Sequence, residues 1–261
     1  MNNRIGKYLL NLVKKIINQV VNILIPKEKR VCFLEELGPT GLFENIPRAD
    51  NFDFETNKIK AIFNYKTVLC RQAIWEIKYR ANKKLIRDFS LLLYEFILEE
   101  LDDLQTFENF QKPILIPIPS SKSREREKGF NQCILIAREL IKIDNKRNGN
   151  NFTLLENYLV KKFDTPHQAR ISNRKKRLEN LKNTFSVNET AMSKLGFGNC
   201  LGAISPTLSE KAFPKTQPAN NYSFIIIDDV ITTGATMAEA FRALKSAGIS
   251  TTKIRGYALA H

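Results

Sequence analysis

Hydrophobic positions along this chain follow two periods. Between residues 70 and 104, Ile74, Ile77, Leu85, Phe89, Leu92, Leu93 and Phe96 recur at helical spacing, with Lys78 inside the same pattern. PILIPIPSS (113–121) is a short apolar run bounded by prolines and predicts a strand ending in a polar turn. FNQCILIARELIKI (130–143) returns to helical spacing, DNKRNGNN (144–151) reads as a loop, and NYLVKK (157–162) predicts another strand. A strand with an apolar run at its centre follows over 222–228, then a helix from about Ala235 to Ser246 closed by Gly248, and a last strand, TKIRGYALA. Strands alternating with helices predict an α/β fold with a mostly parallel sheet covered on both faces.

The flanks read differently. In the first 26 residues Lys7, Asn11, Lys14, Asn18 and Asn22 form one polar stripe on an otherwise apolar helical pattern. Lys14 and Lys15 interrupt it, so it predicts neither a membrane span nor a signal peptide. It reads as a helix packed on the protein or a partner, with contact to a membrane surface as the alternative. Residues 27–60 lack sustained periodicity and read as irregular, and residues 188–221 read as a surface insertion. The resulting division is an appendage over 1–60 and a main domain over 61–261.

Charge changes the picture more than size does. In 261 residues, 41 Lys and Arg against 27 Asp and Glu leave a formal charge of +14, which favours phosphates, nucleic acid or acidic lipid as partners. Cys32, Cys70, Cys133 and Cys200 are widely spaced, and His167 and His261 are the only histidines, so neither a disulfide framework nor a zinc site is expected. The composition reads as that of a cytoplasmic protein.

The chemistry concentrates in FIIIDDVITTGAT (224–236). A parallel sheet binds ligands beyond the carboxyl ends of its strands, and Asp228 and Asp229 fall at such an end. The turn that follows feeds a helix, where backbone N–H groups and the helix dipole form an anion cradle. Thr232, Thr233 and Thr236 add hydroxyl donors, Gly234 lets the backbone approach a phosphate closely, and Ala235 belongs to the same candidate binding turn. Two carboxylates beside a phosphate suit the adjacent hydroxyls of a ribose. The stretch resembles the phosphoribosyl-pyrophosphate motif of type I phosphoribosyltransferases.

Further stretches narrow the resemblance. IPIPSSKSREREKGFNQ (116–132), DTPHQARISNRKKRLENLKNTF (164–185) and YKTVLCRQAIWEIKYRANKK (65–84) resemble, in order, segments of the ComF family of competence-associated, phosphoribosyltransferase-like proteins. The resemblance implies a type I phosphoribosyltransferase-like fold that binds phosphoribosyl pyrophosphate with Mg²⁺ and transfers phosphoribose to a nitrogen nucleophile. It implies that Asp228 and Asp229 hold the ribose, and that Ser120, Ser121, Lys122 and Arg124 sit where a pyrophosphate could be held. It also implies that the basic segment 161–182 closes over the substrate, with Gln168, Arg170, Arg174 and Arg177 as anion contacts. Many family members begin with a cysteine-rich zinc module, which is missing here. The competing reading is a non-catalytic nucleotide sensor or single-stranded-DNA-binding accessory protein, working with proteins of DNA uptake or recombination. Lys175, Lys176 and Lys182 are its candidate DNA contacts.

Overall fold

The computed structural model describes residues 29–50, 58–162, 183–188 and 222–261. In chain order the elements are α1 (Lys29–Asn45), β1 (Ile59–Phe63), α2 (Val68–Trp75), one turn of π-helix (Glu76–Arg80), α3 (Lys83–Glu108), β2 (Pro113–Pro117), α4 (Lys122–Lys128), α5 (Gln132–Lys146), β3 (Thr153–Leu154), β4 (Leu159–Lys161), β5 (Phe185–Val187), β6 (Ser223–Val230), α6 (Ala235–Ser246), a 3₁₀ turn (Thr251–Lys253) and β7 (Ile254–Ala260). Five strands pair in parallel in the order β1-β7-β6-β2-β3. The expected α/β fold with a parallel sheet is present.

β6 lies in the middle of this sheet, and its side chains alternate between two cores as strand geometry requires. Ile225 and Ile227 join the core built with α1, α2, α3 and α5, whereas Phe224 and Ile226 join the core built with α6, β4 and β5. A strand buried on both faces reads as an unbroken apolar run, which is why FIII carries no alternation. β2 takes β3 on one side and β6 on the other, so successive connections leave it in opposite directions. Ligands bind at such a switch point, beyond the carboxyl ends of β2 and β6.

Several expectations need correction. Residues 29–45 are helical, with Val31, Leu34 and Leu42 buried; Gly38 (φ 62°) and Pro39 break the helix, which erased its periodicity. The 70–104 helix is two helices separated by the π-turn and by Ala81 in the left-handed region. The 157–162 strand is three residues long and stands outside the main sheet, pairing antiparallel with β5. The polar turn expected after the 113–121 strand leads into a helix, α4 over 122–128, with the Ser121 hydroxyl accepting from the Arg124 N–H at its start. Strand β1, unanticipated, forms an edge of the sheet. The N-terminal stripe and nearly all of the 161–182 and 188–221 segments lie outside the described residues. Among the described residues no helix is long and apolar enough to cross a membrane.

Gly256 in β7 lets α6 settle on the sheet. A Cβ there would meet Met237 Sδ at 3.1 Å, Ile59 at 3.3 Å and Phe241 at 3.4 Å. Gly256→Val is expected to lower stability by about 1–3 kcal/mol through overpacking. Urea unfolding midpoints of the two proteins check it.

Candidate functional site

The strand that carries the acid pair runs on through Val230, so Asp228 and Asp229 lie inside β6 rather than at its tip, and both are buried. The alternation that divides Phe224 and Ile226 from Ile225 and Ile227 also divides the two acids. Asp229 faces the α2 side, where Lys78 Nζ lies 3.6 Å and Gln132 Nε2 3.1 Å from its Oδ2. Asp228 accepts the Cys133 thiol at 3.5 Å and the Asp229 N–H at 2.9 Å. Oxygens of the two carboxylates and the Cys133 sulfur still lie within 4.8 Å of one another. Two adjacent carboxylates therefore reach one site from opposite faces of the sheet.

Each partner is delivered by a local device. Asn131 caps α5 by accepting from the Cys133 N–H at 2.9 Å while its Nδ2 donates to Ile118 O at 3.0 Å. That pair of bonds ties the first turn of α5, with Gln132 and Cys133, to the end of β2. Lys78 comes from the π-turn, a geometry often found at functional sites because its extra residue re-aims side chains. On the other side Gly234 adopts φ 74°, a left-handed conformation that costs glycine little, and the first helical bond of α6 runs from Ala238 N–H to Gly234 O at 2.9 Å.

Around these groups lies a cavity of about 650 Å³. Of the anticipated site residues, Asp228, Asp229, Thr232, Thr236, Ser120, Ser121 and Arg124 line it. Thr233, Gly234 and Ala235 form the turn without lining the cavity, and Lys122 is exposed outside it. Ser120 donates to Glu125 at 2.6 Å, and Ser121 shares a hydrogen bond with Ser123 at 3.0 Å. Gln168, Arg170, Arg174 and Arg177, with Lys175, Lys176 and Lys182, lie outside the described residues. Lys161 and Phe185, which flank that segment on β4 and β5, do line the cavity. Sequence reasoning missed Arg71, Lys78, Lys128, Gln132 and Cys133, all lining residues. All but Cys133 fall in stretches quoted for the family resemblance, which was the available signal.

Electrostatics follow from burial. Burial, and then the neighbouring Asp229 charge, hold the Asp228 carboxyl well above the usual carboxylate range. Burial, and then Asp228, push the Cys133 thiol far up, so it stays a protonated donor. Asp229 raises the Lys78 ammonium, whereas burial and then Lys78 lower Lys128. Asp228, Asp229 and Cys133 are also the three metal-donor groups that converge here. Two carboxylates suit a hard cation such as Mg²⁺ and a thiol does not, so these three groups are not a matched set of metal ligands.

The Asp228 proton makes a testable linkage. Between the ordinary carboxylate pKa and the raised native value, the folded state binds more protons than the unfolded chain. This group's contribution to stability therefore falls as pH rises. Asp228→Asn is expected to stabilise the unliganded protein at neutral pH, with the gain vanishing below about pH 4. Unfolding midpoints of both proteins across that range check it.

No family model matches the chain. Over 187 residues, 72% of its length, it is 27% identical to competence protein F of Haemophilus influenzae, and the match covers 66% of that relative, just under two thirds. This similarity agrees with the resemblance carried by the motifs and supports a ComF-family relationship for the chain.

Proposed function

We propose that this protein binds phosphoribosyl pyrophosphate with Mg²⁺ in the cavity and transfers phosphoribose to a nitrogen nucleophile, in a competence-related role. The observation that carries the reading is convergence. The turn opening α6, the buried acid pair, and the cations Arg71, Lys78, Arg124 and Lys128 all meet at the switch point of the sheet. The 5-phosphate would sit against Thr232 and Thr236, the two residues of the turn opening α6 that line the cavity. The acid pair would accept hydrogen bonds from the ribose hydroxyls, and the cations would hold the pyrophosphate. The competence-related role comes from the name of the relative.

The residues divide the work. Asp229, paired with Lys78 when no ligand is present, would accept from the ribose instead and release the ammonium toward the pyrophosphate. As the C1–oxygen bond breaks ahead of C1–nitrogen bond formation, positive charge builds on the sugar ring, and a buried carboxylate beside it lowers that barrier. Asp228 must give up its proton before it can accept on both oxygens, so binding should strengthen as pH rises through its native pKa. Mg²⁺, when bound, supplies neutralisation of the leaving pyrophosphate.

The experiment is calorimetry with phosphoribosyl pyrophosphate and Mg²⁺, followed by a pyrophosphate-release assay. Asp228→Asn with Asp229→Asn is expected to abolish measurable binding in a folded protein. Lys78→Met is expected to weaken binding roughly tenfold or more, through one lost charge-assisted hydrogen bond. Wild-type affinity in the folded double variant would exclude the sugar site.

The +14 charge favours a second reading, single-stranded DNA binding without turnover. It predicts an affinity for oligonucleotides that falls with salt at a log–log slope near −0.7 per phosphate neutralised. Absence of binding at low salt removes it.

A further inference from the structure

Gln132 and Cys133, consecutive in the first turn of α5, meet the two consecutive acids of β6. The Cys133 thiol lies 3.5 Å from Asp228 and the Gln132 amide 3.1 Å from Asp229. Both carboxylates are held in the same pose. Oδ1 of Asp228 accepts the Asp229 N–H, and Oδ1 of Asp229 accepts the Val230 N–H, each at 2.9 Å. Backbone donors thus fix one oxygen of each acid. The thiol goes to the fixed oxygen of Asp228, whereas the amide goes to the other oxygen of Asp229, Oδ2, which Lys78 also faces at 3.6 Å. Gln132 and Asp229 both line the cavity. Lys78 by itself balances the charge on that oxygen, so the amide is a second donor with a different use. It carries no charge to give to a pyrophosphate and keeps its place when a polyanion draws the ammonium away.

We propose that Gln132 is a specificity-determining residue of the cavity, admitting ribose 5-phosphates and rejecting a deoxy counterpart; this rests on the function proposed above. A hydroxyl both donates and accepts, whereas a carboxylate only accepts and the Nε2 of an amide only donates. One ring hydroxyl can therefore donate to Asp229 Oδ2 and accept from Gln132 Nε2 at once, in the place that Lys78 leaves. With ribose every polar group keeps a partner. A sugar without that hydroxyl puts a C–H there, which serves neither group. The amide then falls back on Asp229 as in the free protein, and the bridging bonds are lost.

The full chain is titrated by calorimetry with ribose 5-phosphate, 2-deoxyribose 5-phosphate and 3-deoxyribose 5-phosphate, with Mg²⁺ and inorganic pyrophosphate in excess. The wild-type protein is expected to bind the analogue lacking the bridged hydroxyl about a hundredfold more weakly than ribose 5-phosphate. Gln132→Met keeps the length of the side chain and removes both polar ends. In that variant the ratio should fall about tenfold, while the ratio for the other analogue stays as in the wild type. Circular dichroism guards against a folding defect, and Gln132→Ala takes its place if the methionine variant does not fold. Equal weakening of all three sugars marks a merely structural residue and overturns the proposal, as do unchanged ratios in a folded variant. A wild-type protein that binds all three sugars alike overturns it too, while leaving an anion site in the cavity. Absence of ribose 5-phosphate binding also overturns it, and titration with phosphoribosyl pyrophosphate then decides whether the function proposed above falls with it.

Discussion

Two carboxylates adjacent in sequence cannot be buried together unless other parts of the chain bring them donors or cations. Removing a charge from water costs several kcal/mol, on the order of what a whole domain has in reserve. Placing the acids on a strand resolves part of the conflict, because β6 turns them to opposite faces and gives each its own partners. Asp229 keeps a cation and an amide donor, Lys78 and Gln132. Asp228 receives a thiol and a backbone N–H, and burial leaves it favouring its proton. The site therefore holds one paired charge and one suppressed charge. A ligand that brings hydroxyl donors and a polyanion matches both, since it satisfies the carboxylates and takes over the lysine.

That requirement also explains the less regular parts of the chain around the cavity. The segment from Val68 to Glu108 is not one straight helix. The π-turn adds a residue, Ala81 at φ 49° breaks the path, and Asn82 restarts the helix by accepting from the Leu85 N–H. The buried Glu76 within the same turn pairs with Arg80 at 3.2 Å, so the irregular segment is held from both ends. On the opposite wall Asn131 binds the end of β2 and the start of α5 together, which sets Gln132 and Cys133 at the acids. Positions of this kind follow from tertiary bonds, and no periodicity announces them.

What could be read in advance follows the same division. The β6–α6 unit was legible because an unbroken apolar run, two acids and a Thr/Gly turn each signal their own structure locally. β2 and α5 were legible for similar reasons. β1 was not, since five residues at a sheet edge carry little pattern, and neither was α1, whose Gly38–Pro39 break hides two short helical stretches from any periodic test. Ser120 through Arg124 were placed near the ligand, yet only the helix they start decides which of them face it. Arg124 faces the cavity and Lys122 points to solvent. Lys78 shows the limit most plainly. Its spacing fits the apolar stripe of a helix, and nothing in that spacing announces the ion pair with Asp229.

The two walls of the cavity are built in ways that suit different tasks. The β6–α6 wall is built on backbone, with a turn that Gly234 makes at φ 74° and a helix seated on β7 through the narrow contact at Gly256. Fixed N–H groups of this kind recognise a phosphate without reorganising. The α2–π wall presents long side chains, Arg71, Trp75, Lys78 and Tyr79. Such a wall can exchange one partner for another as a ligand arrives. Backbone groups on one wall and long side chains on the other suit a site in which an anion meets fixed donors and the rest of the ligand is recognised by side-chain identity.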